Sequence, residues 1–215
     1  MTATSCVLFD LDGTLLDSTA LIISSYRHTL EQFGAPPPSE HDIISGFGTP
    51  LRANLERLSP NRAWVEEMML VYSEHNGAHH DAMVSAFPGA VDTVRAIAER
   101  VPVAIVTGKR RHYALLGIAF LGLTDVFETV VTPERTERGK PSPDPVLAAL
   151  ADLRLDAAGA WFVGDSPHDM AAGRAAGVRT VAAEWGPFPS STLSRERPTY
   201  RAESISELPE LLGLT

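Results

Sequence analysis

The sequence predicts an α/β fold, a mainly parallel sheet with helices between its strands and an all-helical block inserted after the first strand. Three observations carry this. Short apolar runs rich in β-formers alternate with stretches of helical spacing, the pattern of right-handed βαβ crossovers. Three of those runs end on a polar group (Asp10, Thr107 or Asp165) at the edge where open sheets place their chemistry. From about residue 16 to residue 87, helical patterns follow one another with no strand-like alternation.

The first strand is Cys6-Val7-Leu8-Phe9, which runs into Asp10-Leu11-Asp12-Gly13-Thr14. Two acids one residue apart face opposite sides of a strand. Beyond it, where Gly13 lets the chain curl, both can approach one ligand, one as nucleophile and the other as proton donor. Helical spacing over 17–33 (Leu21, Ile22, Ser25, Tyr26, Leu30, Phe33) stops at Gly34 and the run Pro36-Pro37-Pro38. Further helices are predicted over 40–44, 50–58 and 63–75. Phe87-Pro88-Gly89-Ala90 marks the return to the sheet, through a helix over 90–100 and a strand over 101–106 that ends at Thr107-Gly108-Lys109. A helix over 111–121 and a strand over 126–131 follow. The closely spaced prolines of Gly139-Lys140-Pro141-Ser142-Pro143-Asp144-Pro145 stiffen a loop, and Asp144-Pro145 opens a helix over 146–153. A strand over 160–163 ends at Gly164-Asp165-Ser166, and a helix from Pro167 or His168 to Ala176 is capped by Gly177. A fifth strand covers 178–182, and 187–199 reads as loop. The expected organisation is a Rossmann-like core of residues 1–15 and 88–215 and a helical domain of residues 16–87.

Composition narrows the function. A formal net charge of −9 and the absence of any Lys/Arg block exclude a nucleic-acid or anionic-membrane surface. The single cysteine, Cys6, lies inside an apolar strand, so no internal disulfide is expected and a reducing compartment fits. No positively charged N-terminal region precedes an apolar run, and the most apolar later segment, 114–123, is too short to span a bilayer, so the cytoplasm is the expected location. A phosphate substrate for so acidic a chain needs local positive charge or a metal. Of the 18 Lys plus Arg residues only Lys109 and Lys140 are lysines, and both sit in loops predicted to face a ligand, where a compact ammonium serves phosphate as a point charge.

Asp10, Asp12, Thr107 and Asp165 should converge at one sheet edge, joined by Lys140 from a loop and Asp169 from a helix start. In this order the residues resemble the haloacid dehalogenase superfamily on its phosphatase side. Asp10-Leu11-Asp12-Gly13-Thr14 matches its first motif, Thr107 its second, Lys140 with Pro141 its third, and Gly164-Asp165-Ser166-Pro167-His168-Asp169 its fourth. Gly108 departs from the Asn or Ser often found after the second-motif hydroxyl.

The resemblance implies that Asp10 attacks phosphorus and becomes an aspartyl phosphate, while Asp12 protonates the leaving group and later activates water. It also implies Mg²⁺ held by the Asp10 side chain, the Asp12 backbone carbonyl, Asp165 and Asp169, the last directly or through water. Thr107, Lys140 and nearby backbone N–H groups, with Gly108 and Thr14 beside them, are expected to hold phosphoryl oxygens. Lys109 reads equally as a substrate contact or a helix-start residue. By the same resemblance the helical block is a cap that closes over the site. Within it, Gly46-Phe47-Gly48-Thr49-Pro50-Leu51-Arg52 is the candidate substrate loop, with Arg52 either pairing with an anion or facing solvent. His75, His79 and His80 are expected at the surface or between domains rather than on a metal.

The cap holds no lysine, which argues against a Schiff-base mechanism, and the presence of Asp12 favours phosphate chemistry over carbon–halogen cleavage. The expected substrate is a small phosphorylated metabolite, phosphoglycolate-like first and pyrophosphate second. The latter rests on Tyr72-Ser73-Glu74-His75-Asn76 and on the stretches around Phe127 and Lys140, which lean to the pyrophosphatase branch. A sugar-phosphate mutase and a non-catalytic phosphate-binding module remain as alternatives. The expected assembly is a monomer or a homodimer, with no nucleic-acid or membrane partner.

Overall fold

The structure is a computed structural model that describes residues 3–215. Strand β1 (Cys6–Phe9) is followed by the two-residue β2 (Leu16–Asp17) and helices α1 (Thr19–Gln32), α2 (Glu40–Ile44), α3 (Leu51–Leu58) and α4 (Val65–Met83). The chain returns through β3 (Ser85–Ala86), then α5 (Ala90–Ala98), β4 (Val103–Val106), α6 (Arg111–Phe120) and β5 (Thr129–Val131). It closes with α7 (Asp144–Leu153), β6 (Ala160–Gly164), α8 (Pro167–Ala176), β7 (Arg179–Ala183), α9 (Ser190–Arg195), β8 (Tyr200–Ala202) and α10 (Leu208–Leu211).

The main sheet has the order β5-β4-β1-β6-β7-β8 and every pairing in it is parallel. The chain builds outward from β1 to β4 and β5, then jumps back to place β6 on the other side of β1. The crevice at the carboxyl ends of β1, β4 and β6 is therefore the topological switch point, where such sheets bind ligands. Strand β1 is buried on both faces, as a central parallel strand must be. Val7 and Phe9 join Val103, Ile105, Trp161 and Val163 under α5 and α6, whereas Cys6 and Leu8 join Val106 and Phe162 under α7 and α8.

Between β2 and β3 the regular structure is all helical, α1 to α4 joined by loops and one short 3-10 turn at Arg62–Trp64. The two short strands pair antiparallel, Leu16 with Ala86 and Asp17 with Ser85, so the helical segment leaves and re-enters the sheet region side by side. Its apolar residues Tyr26, Leu30, Ile43, Phe47, Leu55 and Met68 form one cluster that continues onto Met170 of α8 and Phe188. No helix among the described residues is long and apolar enough to cross a membrane.

Several elements differ from expectation. Strand β4 starts at Val103 and β5 at Thr129, because Pro102 has no N–H for a ladder and the Val126 N–H donates back to Leu123 in a turn. Helix α4 runs on to Met83, past the expected end at residue 75, with Asn76 and His80 buried on its inner face. The stretch read as loop over 187–199 contains α9, pinned by the buried Leu193, and the edge strand β8 follows it.

Candidate active site

Strand β1 delivers Asp10 to the switch point, and its N–H donates to Val163 O at 2.9 Å, extending the ladder to β6 by one residue. The chain then turns sharply around Leu11, whose carbonyl accepts from the N–H groups of Thr14, Leu15 and Leu16. Gly13 holds the turn at φ 83°, and a Cβ there would run into the Asp165 carboxylate, so position 13 requires glycine on both counts. Asp165 follows β6, and Thr14 Oγ1 donates to its Oδ1 at 2.8 Å. Thr14 thus orients an acid and does not line the central cavity.

Helix α8 begins with a capping box. Ser166 Oγ accepts from the Asp169 N–H at 3.2 Å, and the Ser166 N–H and Oγ both donate to Asp169 Oδ2, at 3.0 and 2.6 Å. The box fixes Asp169 and leaves its Oδ1 for Lys140, whose Nζ lies 2.6 Å away. Lys140 Nζ also sits 3.0 Å from Asp10 Oδ1 and donates to Val106 O at 3.3 Å. Its side chain is 1% exposed and lies over the Phe162 ring.

Asp10, Asp165 and Asp169 offer carboxylate oxygens that all lie within 4.8 Å of one another, and all three residues are buried. One ammonium against three carboxylates leaves an excess of negative charge. Burial accordingly pushes the Asp10 carboxyl up to about 7 against the pull of Lys140, with Asp169 adding to the rise. Asp165 is likewise driven well above the carboxylate range by burial and by the neighbouring Asp169 and Asp10. Burial opposes the Lys140 charge, yet the two facing carboxylates outweigh it and hold the ammonium above its usual value. Asp10 Oδ1 accepts no well-directed hydrogen bond despite its burial. A hard divalent cation fits this set, which is all oxygen, short of positive charge and carries an oxygen with unused acceptor capacity.

Asp12 points elsewhere. Its Oδ1 accepts from Ser18 Oγ at 2.6 Å and from Lys109 Nζ at 2.7 Å, and the Lys109 side chain is only 8% exposed. Its carboxylate is therefore separate from the three clustered acids and faces the cavity, as do Thr107, Gly108 and Lys109. Thr107 Oγ1 accepts from the Lys109 N–H at 3.1 Å, which shapes this loop.

The loop between α2 and α3 closes the site from above. A Cβ on Gly48 would sit 2.8 Å from Ser166 Oγ, and one on Gly108 would sit 3.0 Å from Gly48 O. Gly139 approaches Pro50 in the same way. Arg52, at the end of this loop, is not brought to the cavity: it is half-exposed and ion-paired with Glu66. Among the other lining residues, Asn54 and Tyr113 carry no sequence signal, Tyr26 reads only as part of a helix, and Ser73 and Asn76 only as part of the stretch that leans to the pyrophosphatases. The available signal was the spacing of Tyr72 and Asn76, four apart and so on one face of α4.

Among the histidines, His28, His75 and His79 stack on the outside of α1 and α4, with ring centroids 4.4 and 4.2 Å apart. His80 is buried against Phe120 of α6. None of them joins a group of three possible metal ligands among the described residues.

An all-parallel sheet that gathers acids, a lysine and a hydroxyl at its switch point defines the class of protein, an α/β enzyme with its site at the carboxyl edge of the sheet. The match of residues 7–183 to the model of the haloacid dehalogenase-like hydrolases carries it further, and the chain belongs to that family. Pyrophosphatase PpaX of Anoxybacillus flavithermus is 37% identical over 210 residues, which cover 97% of each chain. Pyrophosphatase PpaX of Halalkalibacterium halodurans is 36% identical over 97% of this chain and 96% of its own. Among solved structures, a haloacid dehalogenase-like hydrolase from Streptococcus pneumoniae superposes with a TM-score of 0.87 at 25% identity, covering 98% of this chain and 99% of that one. A Lactobacillus plantarum structure assigned as a phosphoglycolate phosphatase gives 0.88 at 24% identity, over 98% and 100%, and speaks to the fold alone.

Proposed function

We propose that the protein is a Mg²⁺-dependent phosphatase that works through an aspartyl phosphate, with inorganic pyrophosphate as its first substrate and a phosphoglycolate-like monoester as its second. The observation that carries the mechanism is the buried excess of carboxylate around Asp10, which a divalent cation at the same place offsets without protonating the acids. Held by Asp10, Asp165 and Asp169, Mg²⁺ supplies the positive charge that lets a carboxylate and a phosphate meet.

Asp10 is the nucleophile, placed by β1 and held in line by Lys140. Lys140 also binds a phosphoryl oxygen, as do Thr107 and the N–H groups of the Thr107–Lys109 loop. Asp12 stands on the cavity side, where the leaving group departs, and transfers the proton there. Gly108 has no side chain, and that lets the loop lie directly under Gly48. Thr14 acts through Asp165. Residues 16–87 form a cap on the core of residues 1–15 and 88–215, and the Gly46-to-Pro50 loop excludes water from the closed site.

The ordering of substrates rests on the pyrophosphatases that resemble the chain over 97% of its length; it reverses the order expected from the sequence and agrees with the stretches around Tyr72, Phe127 and Lys140 that lean to that branch. Lys109, the buried cation of the cavity wall, suits a leaving group that is itself an anion. The test is phosphate release with Mg²⁺ from pyrophosphate, phosphoglycolate and several sugar phosphates, compared as kcat/KM with Asp10→Asn as the blank. Pyrophosphate should lead, and chelation should stop turnover reversibly. Residual hydrolysis by pure Asp10→Asn, or activity that survives exhaustive chelation, refutes the mechanism.

A further inference from the structure

Opposite the core acids, the wall of the cavity is the inner face of α4. Ser73 lines it, and its Oγ is shielded from solvent with no hydrogen-bond partner. Leaving a buried hydroxyl unpaired is destabilising, so such a group is expected to find its partner in a ligand.

The position is held firmly. Tyr113 of α6 donates its hydroxyl to Ser73 O at 2.8 Å, and its ring lies close over Gly77, where a Cβ would already be in contact at 3.4 Å. One turn further along, Asn76 is buried and donates to Ser25 Oγ at 3.3 Å, so its amide is fixed too.

Tyr72, next to Ser73, packs its ring 4.8 Å from that of Tyr26, and both line the cavity. Burial, with Tyr26, Asp12 and Tyr113 close by, holds the Tyr72 phenol well above its usual range, so it stays protonated and donates. The carboxylates of the lining are Asp10 and Asp12 alone, and Asp12 is already paired with Lys109. Apart from those two acids the lining thus presents hydroxyls, the amides of Asn54 and Asn76, the Lys109 ammonium and Arg110, which is itself half-exposed and 3.8 Å from Glu134.

We propose that Ser73 and Tyr72 form the leaving-group subsite of this cavity and set its specificity by donating hydrogen bonds to an oxyanion, either phosphate or carboxylate. The inference deepens the proposed function and rests on it. The two sources, the second phosphate of pyrophosphate and the carboxylate of a phosphoglycolate-like ester, share this chemistry.

The test separates the subsite from the nucleophile. Protein saturated with Mg²⁺ and beryllofluoride, which takes the place of the phosphoryl group on Asp10, is titrated calorimetrically with orthophosphate, glycolate and glycerol. The expected result is binding of at least one of the two oxyanions and none of glycerol, and the tighter oxyanion names the leaving group. Ser73→Ala should weaken that binding about fivefold, the size of one hydrogen bond, and raise the KM for the matching substrate in proportion. Ser73→Thr should restore both, and Tyr72→Phe should act like Ser73→Ala. Equal beryllofluoride affinity in the variants checks that the Asp10 end is intact. Binding of neither oxyanion by the wild-type complex, equal binding of glycerol, or oxyanion binding indifferent to both variants overturns the subsite. Failure of the wild type to take up beryllofluoride instead brings down the aspartyl-phosphate reading, and the subsite with it.

Discussion

Replacing Asp10, the proposed nucleophile, by Asn should stabilise the metal-free protein while abolishing turnover. In the folded chain the Asp10 carboxyl stands at about 7 against an ordinary value of 3.8, chiefly because it is buried. A carboxyl raised on folding contributes stability that is complete below its unfolded value and is lost as pH rises through its folded value. A difference of about 3 units, at roughly 1.4 kcal/mol each, makes the ionised form cost about 4 kcal/mol at about pH 8 and about 2 kcal/mol at about pH 5. Asn is neutral and nearly isosteric, so it removes this cost. Urea unfolding in chelator should place Asp10→Asn above the wild type by up to about 4 kcal/mol at the higher pH, with the gap narrowing on acidification. Mg²⁺ should reverse the order, since it stabilises the wild type and loses a ligand in the variant. A variant that in chelator is no more stable than the wild type at the higher pH, or a gap that does not change with pH, would refute the charge argument.

Three further outcomes follow from the same geometry. Lys140→Met strands two buried carboxylates and should cost about 3–5 kcal/mol in urea unfolding, with at least ~100-fold lost in kcat; Lys140→Arg should not rescue activity, because a guanidinium fork does not fit where one Nζ meets Asp10, Asp169 and Val106 O. Gly48→Ala strains a residue at φ 81° and sets a methyl 2.8 Å from Ser166 Oγ, so KM should rise roughly tenfold and the melting temperature should fall by a few degrees, and an unchanged KM would show that the loop does not close this way. Arg52→Ala should change kcat/KM less than about twofold, and a tenfold loss would mean that Arg52 leaves Glu66 for the substrate.

The core of the site was legible because each of its residues ends an uninterrupted apolar run, and in a parallel sheet all such ends meet at one edge. Asp10, Thr107 and Asp165 follow β1, β4 and β6, three strands that neighbour one another in space although some 150 residues separate the first from the last. Elements held by one tertiary contact were not legible. Helix α9 reads Ser-Ser-Thr-Leu-Ser-Arg, which has neither propensity nor periodicity, and it exists because Leu193 is buried. Strand β8 is a partly exposed edge strand, and β2 and β3 are too short to carry a period. Helix α4 was cut short at its polar, glycine-containing stretch, although Gly77 stands there to let Tyr113 approach.

The same distinction separates catalysis from specificity in this chain. Residues that handle the phosphoryl group need only the sheet edge, so sequence order reveals them. In the proposed subsite, residues that meet the leaving group need helices α1 and α4 laid against α6, beside the Tyr113–Ser73 hydrogen bond, the close approach of Gly48 to Ser166 and His80 packed against Phe120. None of these pairs is close in sequence, and each is unremarkable alone. Arg52 shows the cost of reading the helical segment without that docking: it has the right charge beside the Gly46-to-Pro50 loop, yet its helix turns it towards Glu66. Tyr72 and Ser73, uncharged and legible in the sequence only as part of a stretch that leans to the pyrophosphatases, line the cavity from α4. Under the proposed function, substrate choice depends on how the helical segment docks, and variants at the α4–α6 contact should alter KM ratios between substrates before they alter the chemistry at Asp10.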